Sequence, residues 1–237
     1  MHAFVVEPPA VSYLDVAGEG GRFPVRRIFC VGRNYAAHAR EMGKDPDREA
    51  PFFFTKPADA VVRNGTTVPY PPETANLHHE IELVVAIGRA GCEVAAHEAL
   101  DLVWGYGVGI DLTRRDLQIA ARDSGRPWDW GKAFDRSAPI APLHPVEGVG
   151  HPASGRIWLA VNGDIRQDAD IADLIWSVPE IIAILSRSMA LRPGDLIMTG
   201  TPAGVGPLVA GDAVTGGVAG LSDIDIRIGP RPVAIDT

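Results

Sequence analysis

From Arg27 onward the chain alternates short apolar runs with turn-forming clusters, and most runs carry the two-residue period of strands. RIFCVG at 27–32 predicts a strand, and NYAAHAREMG after it a short helix stopped by Gly43, with Asn34 available as its cap. PFFFTKP at 51–57 predicts a strand held between prolines. IELVVAIG at 81–88 alternates and is rich in β-branched residues, so it is the clearest strand of the first half. AAHEALDLVW at 95–104 reads as a helix, GYGVGID at 105–111 as a strand, and LTRRDLQIAARDSG as a second helix ended by Gly125 and Pro127. RIWLAV and DIRQD flank Asn162 and Gly163, which supply the positive φ angles of a tight hairpin turn. Ser177 and Glu180 have capping-box spacing before IIAILSRSM, and LRPGDLIMTGTPAGVG predicts a turn, a strand and a glycine-rich loop.

Pro8, Pro9 and the GEGG at 18–21 break any regular element near the start, so residues 1–22 read as an arm. With no repeat, linker or low-complexity tract beyond it, residues 23–237 are expected to form a single domain of the α+β class, strand-dominated with a few short helices.

Composition narrows the partners. The chain has 237 residues with 22 Lys and Arg against 30 Asp and Glu, a net charge of −8 that argues against neutralising nucleic acid or an anionic membrane surface. Apolar residues at 46% exclude wholesale disorder, and 26 glycines with 20 prolines demand many turns. Two cysteines, Cys30 and Cys92, are too few for a disulfide framework. No apolar run reaches the ~20 residues of a membrane span, and MHAFVVEPPA lacks the basic start of a secretory signal, so a cytoplasmic location is expected.

Glu80 and Glu82, two apart in a predicted strand, leave the same face as Val84 and Ala86. Two like charges there repel unless something offsets them. A divalent cation does so, and an all-oxygen donor set selects a hard ion such as Mg²⁺, Mn²⁺ or Ca²⁺; a solvated strand face has the same spacing. Asp111, at the end of GVGID, would complete three carboxylates or cap the helix after it. His78 shares their parity but is left outside the metal shell. His38 and Glu41, three apart in a predicted helix, can touch, an arrangement that suits a general base for water and also occurs as a plain surface contact. Arg115, Gln118 and Arg122 form one stripe of the helix after Asp111, and Lys132 lies among aromatic residues in DWGKAFDRSAP. Neither GTPAGVG nor GYGVG has the spacing of a phosphate cradle.

In order and spacing, VGRNYAAHAREMG, FFFTKP, NLHHEIELVVAIG, GYGVGIDLTRRDLQ, WGKAFDRSAPIAP, VNGDIRQD and GDLIMTGTPAGVG resemble the fumarylacetoacetate hydrolase family over about residues 25–225. The resemblance implies the mixed β-sandwich roll of that family's C-terminal domain, usually a homodimer. It implies Mg²⁺ or Mn²⁺ on Glu80, Glu82 and Asp111, with Ca²⁺ as a further candidate, and a base dyad of His38 and Glu41. Lys132, Arg115 and Gln118 would hold substrate or stabilise an oxyanion, and Thr201 would contact a substrate carboxylate. The short RNYAAHAREMG and PFFFTKP segments are most similar to members that cleave fumarylpyruvate to fumarate and pyruvate. The partner is then a small anionic 2,4-dioxo acid, whose second carboxylate makes Arg33 and Arg126 the candidate contacts. A general acylpyruvase, an oxaloacetate decarboxylase and a Ca²⁺-binding structural module are the alternatives.

Overall fold

The strongest strand of the chain, β8 (Ile81–Ile87), is buried at all seven positions, which a half-exposed alternating strand would not be. It sits inside a mixed eight-stranded sheet ordered β4 (Phe52–Lys56), β3 (Arg27–Gly32), β15 (Asp195–Met198), β8, β9 (Val103–Ile110), β11 (Ala138–Ile140) and β5 (Val61–Arg63), with β12 (His144–Pro145) added to β9. A second, five-stranded sheet is ordered β14 (Asp164–Asp170), β13 (Arg156–Val161), β17 (Ala213–Val218), β18 (Ile224–Gly229) and β6 (Thr67–Pro69). Three short strands, β10 (Thr113–Arg114), β7 (Leu77–His79) and β16 (Gly206–Leu208), form a third sheet. The computed structural model describes residues 4–18, 20–36 and 49–232. The expected helix at 34–43 therefore lies, past residue 36, outside the described residues, and with it His38 and Glu41.

Leu83, Val85 and Ile87 on one face of β8 share a core with Ile157 and Leu159 of β13, so the two large sheets enclose a common apolar layer. Val84 and Ala86 face the other way, into a second core with Ile28, Cys30, Leu196 and Met198. Burial on both faces follows from this double covering. The arm contributes to it. Its β1 (Tyr13–Asp15) pairs with β2 (Arg22–Pro24), a strand the proline and glycine content did not predict, and Leu14, Phe23 and Val25 join the second core.

Among the described residues, four helices lie outside the sheets: α1 (Arg115–Asp123), α2 (Asp129–Lys132), α3 (Val146–Val149) and α4 (Val178–Ser186). The hairpin forms as expected, with Asn162 at φ 54° and Gly163 at φ 87°. The Glu180 carboxylate accepts from the Ser177 amide at 3.0 Å and hydroxyl at 2.6 Å at the start of α4. The expected helix at 95–104 is replaced by one 3₁₀ turn, Ala99–Leu102, because Val103 pairs with Ile87 and draws the rest into β9. Asn34 ties three segments together: its amide donates to the carbonyls of Trp176 at 2.9 Å and Thr199 at 2.8 Å, and its oxygen accepts from the Trp176 amide at 2.7 Å. Among the described residues no helix is long and apolar enough to cross a membrane.

Candidate active site

Register across β8 and β9 creates the site. Glu82 stands opposite Gly109, and one step beyond the strands the Asp111 amide donates to the Glu80 carbonyl at 2.8 Å. Glu80, Glu82 and Asp111 thereby meet, each offering an oxygen within 4.8 Å of the others, and all three are buried. Glu82 does share its face with Val84 and Ala86, as the strand period requires.

Buried carboxylates need compensation, and two of the three receive it from cations. Lys132 donates from Nζ to Glu80 Oε2 at 2.7 Å and to Asp111 Oδ2 at 2.6 Å. Lys56 pairs with Asp111 Oδ1 at 2.8 Å and donates to the carbonyls of Leu112 and Lys132, and Arg115 pairs with Glu80 Oε1. Glu82 forms no ion pair with any described residue. Its Oε2 accepts from the Gly200 amide at 2.7 Å. Burial, then the neighbouring Asp111 and Glu80 charges, push its proton affinity well above the ordinary carboxylate range. Gly200 can present that amide because its φ is 100° and a Cβ would lie 2.7 Å from Asn34 Cβ. Burial opposes the charged form of Lys132, but Asp111 and Glu80 outweigh it and keep the ammonium above lysine's usual range.

A cavity of about 400 Å³ opens over this cluster, and Arg33, Glu80, Glu82, Asp111, Arg115, Gln118, Lys132 and Thr201 all line it. The structure thus brings together every candidate it describes except Arg126. Arg115 Nη1 donates to Gln118 Oε1 at 3.1 Å, which fixes the first turn of α1 toward the carboxylates. Arg126 is a correction: it lies on a separate groove with Arg114 and Trp130, away from this cavity. Arg122 lines the cavity but donates to Asp123 at 2.8 Å. His78 contacts Asn76 at 3.0 Å, and burial with the adjacent Arg115 lowers its pKa to about 4; it is not among the clustered carboxylates.

Two residues escaped the sequence reading. Lys56 looked like a strand end between prolines, and an ammonium closing an otherwise apolar strand was the available signal. Gln167 sits in the mostly exposed β14, yet it is fully buried. Its Nε2 donates to Thr201 Oγ1 and the Pro202 carbonyl, both at 2.8 Å, while its Oε1 accepts from the Ile81 amide at 3.1 Å and faces His79 Nδ1 at 3.0 Å. Because Thr201 Oγ1 accepts from Gln167, its own hydroxyl proton is left for the cavity.

Three buried carboxylates on one cavity form a hard, all-oxygen donor set, and Glu82 has no cationic partner among the described residues. The arrangement fits Mg²⁺ or Mn²⁺. The fumarylacetoacetate (FAA) hydrolase C-terminal family matches residues 27–228. A fumarylpyruvate hydrolase of Ralstonia sp is 48% identical over 191 residues, 80% of this chain and 99% of that protein. The mitochondrial oxaloacetate tautomerase FAHD1 of Arabidopsis thaliana is 42% identical over 86% of this chain and 92% of its own. The crystal structure of fumarylpyruvate hydrolase from Pseudomonas aeruginosa in complex with Mn²⁺ and pyruvate superposes with a TM-score of 0.95 at 54% identity, covering 97% of this chain and 100% of that one.

Proposed function

Because the chain belongs to the fumarylacetoacetate hydrolase family, we propose that it is a metal-dependent hydrolase that cleaves a carbon–carbon bond of fumarylpyruvate, giving fumarate and pyruvate. The observation that carries this reading is the buried Glu80, Glu82 and Asp111 cluster beside a charged Lys132, in a chain 54% identical to an enzyme crystallised with Mn²⁺ and pyruvate.

Glu80, Glu82 and Asp111 would hold the ion, Mg²⁺ or Mn²⁺. When bound, it supplies positive charge for the adjacent oxygens of a 2,4-dioxo acid and for the enolate that departs. His38, with Glu41 as the second member of the proposed dyad, takes a proton from water as the water oxygen bonds to the carbonyl carbon remote from the pyruvate end. Lys132 has three N–H donors, and two are engaged by Glu80 and Asp111. The third is available to the oxyanion, with Arg115 and Gln118 beside it, an effect worth ~3 kcal/mol per donor. Collapse of the oxyanion breaks the carbon–carbon bond. The electron pair stays on the pyruvate fragment, which recovers the proton held by His38. Thr201, held by Gln167, donates to a substrate carboxylate.

The oxaloacetate tautomerase relative supports a second reading, proton transfer within oxaloacetate without water attack. Rates with fumarylpyruvate, acetylpyruvate and oxaloacetate, each with Mg²⁺ or Mn²⁺, separate the two: the hydrolase reading requires fumarylpyruvate to have the highest kcat/KM. A homodimer is part of the proposal. The groove of about 940 Å³ beside α1, where Trp130 is 80% exposed among Leu117, Ala120, Ala121 and Pro72, supports such an interface. Free Cys30 and Cys92 support a reducing, cytoplasmic setting.

A further inference from the structure

The cations lining the cavity are Arg33, Arg115, Arg122 and Lys132, and they differ in what they already hold. Arg115 and Lys132 are bound to Glu80, Lys132 also to Asp111, and Arg122 to Asp123. Arg33 is paired with no carboxylate among the described residues. Its guanidinium carbon lies 5.3 Å from the Phe52 ring centroid, an aromatic contact that engages no carboxylate.

Its setting is built. Arg33 has φ 59°, a left-handed backbone that a non-glycine residue rarely adopts, and such conformations gather at binding sites. Gly32 before it has the Phe52 ring so close that a Cβ would fall 2.0 Å from Cζ. Phe52 meets Trp128 edge-on at 5.0 Å, Trp128 lies 5.9 Å from Phe54, and Phe54 lies 5.0 Å from Lys132 Nζ. These rings form a continuous wall that begins at the lysine beside the carboxylates and ends at Arg33. Arg33 also lines a second cavity of about 510 Å³ with Phe52, Phe54 and Trp128, so it stands where the polar cavity opens onto the aromatic one.

We propose that Arg33 is a specificity-determining residue: it binds the terminal carboxylate of a dianionic 2,4-dioxo acid whose flat conjugated chain runs along Phe54, Trp128 and Phe52. The proposal rests on the hydrolase reading. A planar unsaturated chain matches an aromatic wall, and a carboxylate matches a guanidinium fork that holds no acid among the described residues. Charge alone would not select Arg33 over Arg126, but Arg126 lies on the other groove.

The test is the ratio of kcat/KM for fumarylpyruvate to that for acetylpyruvate, which lacks the terminal carboxylate. One charge-assisted contact held in the transition state corresponds to a ten- to hundredfold preference. Arg33→Met should lower the ratio by that factor, and Arg33→Lys should restore part of it through charge without the fork. A ratio unchanged in Arg33→Met, including a parallel fall with both substrates, would overturn the proposal. Calorimetric titration of fumarate and crotonate in the presence of Mn²⁺ keeps the two readings apart. If the unaltered protein cleaved neither substrate but bound fumarate at least tenfold more tightly than crotonate, and Arg33→Met removed the difference, the hydrolase reading would fail and Arg33 would stand. Equal binding of the two acids by the unaltered protein would count against Arg33.

Discussion

Glu82→Gln should make the metal-free protein more stable and the metal-loaded protein less so. Glu82 is 2% exposed, beside Asp111 and Glu80, with one backbone amide and no ion pair among the described residues. Its charge is therefore a cost to the metal-free fold. Gln keeps an oxygen for the Gly200 amide and adds an N–H toward the remaining carboxylates. Removing the charge should stabilise by about 1 kcal/mol, a rise of ~2–4 °C in Tm for a chain of this size. The unaltered protein, at Mn²⁺ about a hundredfold above its Kd, should gain about 2.7 kcal/mol, or ~5–10 °C, and the variant little. The two melting curves should thus exchange order between chelated and Mn²⁺-loaded samples in calorimetry. A variant less stable without metal, or one that keeps the full Mn²⁺ shift, would refute the assignment of Glu82 as a ligand that only the ion compensates.

His38→Ala should retain Mn²⁺ binding and lose fumarylpyruvate hydrolysis by roughly 10²- to 10⁴-fold, checked by steady-state kinetics beside calorimetric titration. Mn²⁺ affinity should fall with pH below the raised Glu82 value, approaching tenfold per unit, because binding must release that proton; titrations at several pH values measure it. The same proton sets the stability of the metal-free protein. The folded chain holds it where the unfolded chain has released it, so stability should decline as pH rises from the ordinary carboxylate range to the Glu82 value, and Glu82→Gln should abolish that decline in urea titrations. Trp130→Glu should convert the expected dimer to monomer in light scattering while leaving the fold intact.

The parts of this molecule that were legible in its sequence are those set by local period and local chemistry. Two-residue spacing placed Glu80 and Glu82 on one face with Val84 and Ala86, and the Asn162–Gly163 turn and the Ser177–Glu180 cap required only neighbours. Tertiary pairing decided the rest. Residues 95–104 carry helical spacing, yet the match of Val103 to Ile87 pulls the end of that run into β9. Leu14 lies between breakers, yet the exposed face of the large sheet needs covering, and the β1–β2 hairpin covers it. Lys56 and Gln167 gain their places from residues 55 and 34 positions away, Asp111 and Thr201, and no local pattern encodes such contacts.

If Glu80, Glu82 and Asp111 hold an ion needed to cleave a 2,4-dioxo acid, turnover must depend on that ion. The most direct test follows the ultraviolet absorbance of fumarylpyruvate with protein stripped by chelator, then with Mg²⁺ or Mn²⁺ restored, fumarate and pyruvate being quantified as products. The stripped protein should show no loss of absorbance, and activity should return with equal yields of the two acids when the ion is restored. Cleavage that persists at full rate in protein shown to be free of metal, or no cleavage with either ion restored, would contradict this role of the three carboxylates.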